Sequence, residues 1–135
     1  MVPKTLIDTD ILSAVIRGDP RVAPRELAYR VDHPRMTVSA FNLFEIQRGL
    51  LAKGAIVQLR EFAQHRAVME SLPIDEDVLD RASVIWSTLR TTGVQVKDAD
   101  CLIAATAIVH GLPLSTNNTK DFARIDGLAL DNWLS

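Results

Sequence analysis

Asp98-Ala-Asp-Cys-Leu-Ile-Ala-Ala-Thr-Ala-Ile-Val-His-Gly-Leu-Pro-Leu-Ser-Thr-Asn-Asn-Thr-Lys-Asp-Phe122 decides how the rest of this chain is to be read. Two acids open a run from Cys101 to Val109 that is apolar except for Thr106. Such a run is apolar all round a helix, so the helix should be buried on several sides. Gly111 stops it, because glycine tolerates the left-handed geometry that closes a helix. Leu112 to Thr116 then reads as a short buried strand, with Asn117-Asn118 as the turn at its carboxyl end. A buried helix led by acids, followed by a strand that ends in polar residues, is the pattern of an α/β sheet. Ligands of open α/β sheets bind at the carboxyl ends of the strands.

Upstream, Thr5 to Asp8 is an apolar strand that runs into Asp8-Thr-Asp10. A helix carrying Ile11, Leu12, Val15 and Ile16 follows, broken at Gly18-Asp-Pro20. Pro24 to Val31 predicts a second helix and Arg35 to Ser39 a second strand. Asn42 opens a helix reaching about Lys53-Gly54, and Ala55 to Leu72 shows helical spacing that should form a hairpin with it. Leu72-Pro-Ile74 is a weak strand candidate. Asp75 or Asp77 caps a helix whose buried stripe holds Val78, Leu79, Ala82, Ile85, Trp86 and Leu89. Gly127 to Asp131 reads as an edge strand. No repeat, linker or low-complexity stretch interrupts the chain, so its 135 residues form one domain, 1–135.

With 47% hydrophobic and 24% charged residues the composition is that of a globular protein. No apolar run approaches the length of a bilayer span, and the amino-terminal apolar stretch is too short for a signal peptide. The single cysteine, Cys101, excludes an intrachain disulfide and fits a reducing cytoplasm. A net charge of −2 argues against a broad basic face for duplex DNA. A phosphodiester substrate stays open, because divalent ions held by carboxylates invert the local field.

The acids each have a local explanation. Asp8 and Asp10 sit where a strand enters a helix, a common capping place. Glu45, three residues after Asn42, resembles the glutamate of a capping box. Asp98 is a good N-cap, Asp100 suits the helix dipole, and Asp121 could cap a short turn. Capping does not explain a common address. In a parallel sheet the turns after the first, second and penultimate strands, and the helix start at Asp98-Asp100, share one edge. Asp8, Glu45, Asp100 and Asp121 would converge there from distant segments. Packed carboxylates repel one another unless a cation sits between them, and oxygen-only ligands favour Mg²⁺ or Mn²⁺ over zinc. His33 and His65 lie in surface-like surroundings and His110 ends the buried helix. No serine or cysteine is placed for a nucleophilic triad, and no glycine-rich phosphate loop follows a strand.

Leu6-Ile-Asp8-Thr-Asp10-Ile-Leu12, Val38 to Gly49 around Glu45, Asp100-Cys-Leu-Ile-Ala-Ala-Thr-Ala107 and Leu114 to Ile125 around Asp121 resemble, in this order and spacing, the PIN-domain family. Within it they are similar to the VapC-type ribonuclease toxins of toxin–antitoxin pairs. The resemblance implies a five-stranded parallel sheet flanked by helices and an endoribonuclease that uses Mg²⁺ or Mn²⁺. Asp8, Glu45, Asp100 and Asp121 fall on the family's acidic quartet. Asp98 is an extra acid beside the third position, where Asp-x-Leu-Ile-Ala favours Asp100. Phe41 and Phe44 replace smaller aliphatic residues, a change read as affecting packing more than chemistry. Also implied are an RNA substrate, a cognate antitoxin protein, a homodimer through the Trp86 helix or the hairpin, and a cytoplasmic setting. Phe44, Leu50, Leu51, Ile56 and Leu59 are candidate anchors for a partner helix, weighed against a plain core role. Asp8-Thr-Asp10 is also similar to the Asp-x-Asp of haloacid-dehalogenase-like phosphatases, although Leu12 stands where that family has Thr or Val. A metal-free binding module of the same fold is the remaining alternative.

Overall fold

A computed structural model describes all residues, 1–135. The chain runs β1 (Leu6–Ile7), α1 (Thr9–Ile16), α2 (Ala23–Asp32), β2 (Thr37–Ser39), α3 (Ala40–Ala52) and α4 (Ile56–Ala67). It continues β3 (Glu70–Leu72), α5 (Glu76–Thr91), α6 (Asp98–Val109), β4 (Leu114–Ser115), α7 (Thr119–Phe122) and β5 (Leu130–Asp131). The five strands form one sheet in the order β3-β2-β1-β4-β5, and every neighbouring pair is parallel.

The sheet is buried on both faces, as a parallel sheet requires. Successive strand residues point to opposite sides, and the two residues of β1 divide accordingly. Leu6 packs into a cluster with Leu114 and the inner stripes of α5 and α6, including Val78, Ile85, Leu89, Ile103 and Ala104. Ile7 packs into the opposite cluster with Ile11, Leu12, Tyr29, Val38, Leu43, Phe62 and Trp133. Helices therefore cover both faces in a three-layer arrangement. α6, apolar nearly all round, buries six residues between Cys101 and Ala107.

Several boundaries move from the sequence expectation, each for a local reason. α3 begins at Ala40 rather than Asn42, because Ser39 is its cap and accepts from the Phe41 amide at 3.1 Å. Asn42 closes the capping box by accepting from the Ser39 amide at 3.0 Å. Glu45 thus sits beyond the first turn of the helix, outside the capping box. Helix α4 ends at Ala67, five residues before the expected Leu72, and Glu70–Leu72 pairs with Thr37–Ser39 as β3. The strand expected at Leu72-Pro-Ile74 lies two residues earlier, since Pro73 has no amide to give a ladder. Asp98 is the first residue of α6, and Lys97, without a side-chain bond, occupies the cap. Asp121 lies inside the short α7 and does not cap it. The strands expected at Thr5–Asp8, Arg35–Ser39, Leu112–Thr116 and Gly127–Asp131 are present in shortened form. Asp75 caps α5 through a bond from the Val78 amide. His33 is tied in rather than loose at the surface: its Nε2 lies 2.7 Å from the Val2 carbonyl and its ring packs on Tyr29.

Candidate active site

In this strand order the chain leaves β1 towards β2 and β3 on one side and reaches β4 and β5 on the other. The direction of winding reverses between β1 and β4, and the crevice at such a switch point is the usual ligand site of an open α/β sheet. Asp8 stands there, immediately after β1, as the cap of α1. Its Oδ1 accepts from the Thr9 amide at 2.8 Å and from Asn42 Nδ2 at 3.3 Å. Its Oδ2 accepts from Thr116 Oγ1 at 2.8 Å, a bond that crosses the switch point from the end of β4. Only 7% of the residue is exposed. Burial pushes its carboxyl up to about 6 against the donated hydrogen bonds, and the nearby Asp10 and Glu45 charges add to the rise.

The other acids reach the same edge from different elements. Glu45 on α3 accepts from Thr9 Oγ1 at 2.8 Å, and Arg48 lies 3.9 Å from its second oxygen. Asp100, in the first turn of α6, is half-buried, and burial raises its pKa. Lys97 opposes the rise, whereas the charges of Asp121 and Glu45 increase it. Asp121 on α7 is half-buried with Arg124 3.7 Å away. The four residues are thus linked in a row of electrostatic neighbours: Asp8 with Glu45, Glu45 with Asp100, and Asp100 with Asp121. As placed, no three His, Cys, Asp or Glu side chains are gathered tightly enough to hold a metal ion.

Asp98 is exposed and borders a groove between α5 and α6 rather than this row. Asp10 is close by but committed elsewhere: its oxygens accept from the Ile11 amide at 2.7 Å and the Asn117 amide at 3.0 Å. Burial raises its pKa in spite of those bonds. It ties the start of α1 to the turn after β4. No histidine approaches the row, and the Cys101 thiol is buried and pushed up to about 11, mainly by that burial. The donor atoms facing the edge are carboxylate oxygens, the chemistry of hard cations.

Three neutral residues that the sequence did not single out as site residues hold the acids in place. Asn42, fully buried, donates to Thr9 Oγ1 at 2.9 Å as well as to Asp8. Thr9 in turn gives its one hydroxyl proton to Glu45, so Asn42, Thr9 and Glu45 form a directed chain of hydrogen bonds. Thr116 accepts from the Asn118 amide at 3.0 Å and gives its proton to Asp8. No buried side-chain polar atom in the molecule lacks a partner. The available signal for these residues was position, since Thr9 and Thr116 flank the two central strand ends.

Residues 5–128 match the PIN domain. A tRNA(fMet)-specific endonuclease VapC of Shigella flexneri is 30% identical to this chain, over 96% of this chain and 98% of its own length. Among solved structures, VapBC2 from Rickettsia felis, bound to a DNA fragment from its promoter, superposes with a TM-score of 0.84. It is 25% identical and the match covers 96% of this chain and 98% of that one. A toxin–antitoxin complex from Klebsiella pneumoniae gives a TM-score of 0.72 at 26% identity, covering 96% and 97% of the two chains.

Proposed function

The chain belongs to the PIN-domain family, in its VapC-type branch, and on that premise we propose that it is an endoribonuclease toxin dependent on Mg²⁺ or Mn²⁺. The observation that supports this reading most is the electrostatic burden on Asp8 and Asp100. Asp8 is buried and Asp100 half-buried, and each is raised further by an acid from a separate segment. Capping needs no such crowding, and a cation between the carboxylates would relieve it. Asp8, Glu45, Asp100 and Asp121 would hold the ion through oxygens alone, which suits Mg²⁺ or Mn²⁺.

When bound, such an ion makes water a better nucleophile and stabilises charge on the scissile phosphate. The chain's own residues do the positioning. Thr116 and the Thr9 amide fix Asp8, and the Asn42–Thr9 chain fixes the oxygen of Glu45. In-line attack of water on phosphorus breaks the bond to the 3′ oxygen. A carboxylate of the row accepts the water's proton and the leaving oxygen takes one from solvent. The products carry 5′-phosphate and 3′-hydroxyl ends.

Asp8→Asn or Asp100→Asn should abolish cleavage in a folded protein, and EDTA should do so until Mn²⁺ is added. Full activity in EDTA contradicts the metal mechanism.

The reading includes a cognate antitoxin. Phe44, Leu51 and Ile56 of the α3–α4 hairpin are exposed, and Leu50 and Leu59 are half-buried. A core role therefore does not account for the first three, and an apolar helix laid along the hairpin would cover Leu51 and Ile56. An antitoxin arginine would pair with the carboxylates and compete with the cation. A homodimer would use the groove of about 520 Å³ between α5 and α6, which Leu79, Trp86 and Leu102 line. No helix is long and apolar enough to cross a membrane. A cytoplasmic setting belongs to the reading because that is where the RNA substrate lies.

A further inference from the structure

The helix that carries Glu45 presents a second feature to the same edge, unused by the acid chemistry. Phe44, the preceding residue, keeps 52% of its surface in solvent. A lone exposed phenylalanine is ordinary, but this one has built surroundings. The Phe41 ring lies 5.5 Å from it, one turn back and tilted by 48°. Arg48, one turn on, sets its guanidinium 4.9 Å from the centre of the Phe44 ring. The same Arg48 stands 3.9 Å from Glu45 Oε2. Phe41 is itself packed against the core cluster under α5 and α6. Residues 41, 44, 45 and 48 are neighbours on the helix surface by their spacing of three and four. Ring, guanidinium and carboxylate thus form one continuous strip that ends at the acid row.

We propose that Phe44, backed by Phe41 and Arg48, is a base-stacking platform that seats a nucleobase of single-stranded RNA beside the scissile phosphate. This rests on the ribonuclease reading of the acid row. The carboxylates and the cation they would hold address the scissile phosphate alone, and a chain of net charge −2 offers no broad basic face to the rest of the strand. The grip on the flanking nucleotides therefore falls to other contacts. Stacking is such a contact, and it tolerates any base because every base has a π-face. A guanidinium over the ring extends the stacking surface and supplies a cation for a flanking phosphate. Arg66, held by Gln47 at 2.8 Å, shares with Arg48 a hollow of about 310 Å³ beside Phe44, which adds a second cation. Bases in a duplex are already stacked on one another, so the platform selects single-stranded or splayed-out RNA.

The test uses the full chain and a short single-stranded oligoribonucleotide labelled with 2-aminopurine, whose fluorescence is quenched on stacking. In an Asp8→Asn background, binding should quench the label. Phe44→Ala and Phe44→Leu should remove the quenching and weaken binding roughly tenfold, while Phe44→Trp should keep both. In the active chain Phe44→Ala should raise KM by a similar factor with little change in kcat. Wild-type binding and cleavage by the Ala and Leu variants would overturn the platform and leave the nuclease intact. Loss of a co-purifying protein partner with unchanged RNA binding would also overturn it, making the strip a protein-docking surface. Failure of the wild-type chain to cleave any RNA would overturn platform and ribonuclease reading together.

Discussion

Asp8 is where folding and the proposed chemistry make opposite demands. Its carboxyl, ordinarily near 3.8, is pushed up to about 6, mainly by burial. A raised folded-state pKa means that the stability Asp8 contributes is fully present below its unfolded value and is lost as pH rises through about 6. At neutral pH the ionised group costs on the order of 3 kcal/mol, a figure that already includes the relief given by the Thr9 and Thr116 hydrogen bonds. In EDTA at pH 7, Asp8→Asn should therefore melt higher than wild type by roughly 5 °C. The advantage should fade near pH 4 and shrink at pH 7 when Mg²⁺ is added. A lower melting point for the variant at pH 7 would make capping the main role of Asp8. Thr9 supplies a second test at this scale. Thr9→Val keeps the shape but removes the bond to Glu45 and the acceptor for Asn42, so cleavage should fall roughly tenfold with the fold retained. The acids drew notice in the sequence because each lies near a strand end or a helix start in a chain that offers no other catalytic grouping. Asn42, Thr9 and Thr116 did not, because a neutral side chain's role depends on which distant group it faces. For Phe44 the sequence left an exposed anchor and a core role both open, because its spacing in α3 could not tell a packed ring from one left half in solvent.

Among the elements, α3 shows how a local device aims a side chain of the proposed site. Ser39 is fully buried, ends β2 and caps α3. The box it shares with Asn42 fixes the start of the helix, hence the direction in which Glu45 points. Ser39→Ala should cost about 1 kcal/mol in urea unfolding and should also reduce cleavage, because Asn42 loses its place along with the cap. Unchanged activity with reduced stability would separate the cap from the site. Helix α6 was the most legible element, since a run apolar all round has few other places to go. The boundary between α4 and β3 was illegible. No glycine or proline separates Ala67 from Glu70, and pairing with Thr37–Ser39, not local propensity, extends the backbone there. The strands are two or three residues long, so their ends depend on partners that the sequence does not display.

For the molecule as a whole, the strand order sets the function's address. Winding outwards from β1 in both directions leaves a crevice between β1 and β4, and parallel pairing brings the turns after β1, β2 and β4 to one edge. A parallel α/β sheet was legible from the alternation of apolar strands and helices. That two helix starts, the second turn of α3 and one short helix would carry its acids to this edge followed only once the strands were taken as parallel. A toxin with such an open site needs a partner to restrain it. Co-expression with the neighbouring gene should relieve growth arrest and yield a co-purifying complex, whereas Leu51→Asp or Ile56→Asp should weaken the complex without lowering cleavage in vitro. The most direct test of the central claim is an RNA cleavage assay on the purified chain with EDTA, with Mg²⁺ or Mn²⁺ restored, and with Asp100→Asn. The account predicts cleavage only by the wild-type chain with a divalent ion, leaving 5′-phosphate and 3′-hydroxyl ends. Cleavage that persists in EDTA or in Asp100→Asn would contradict it.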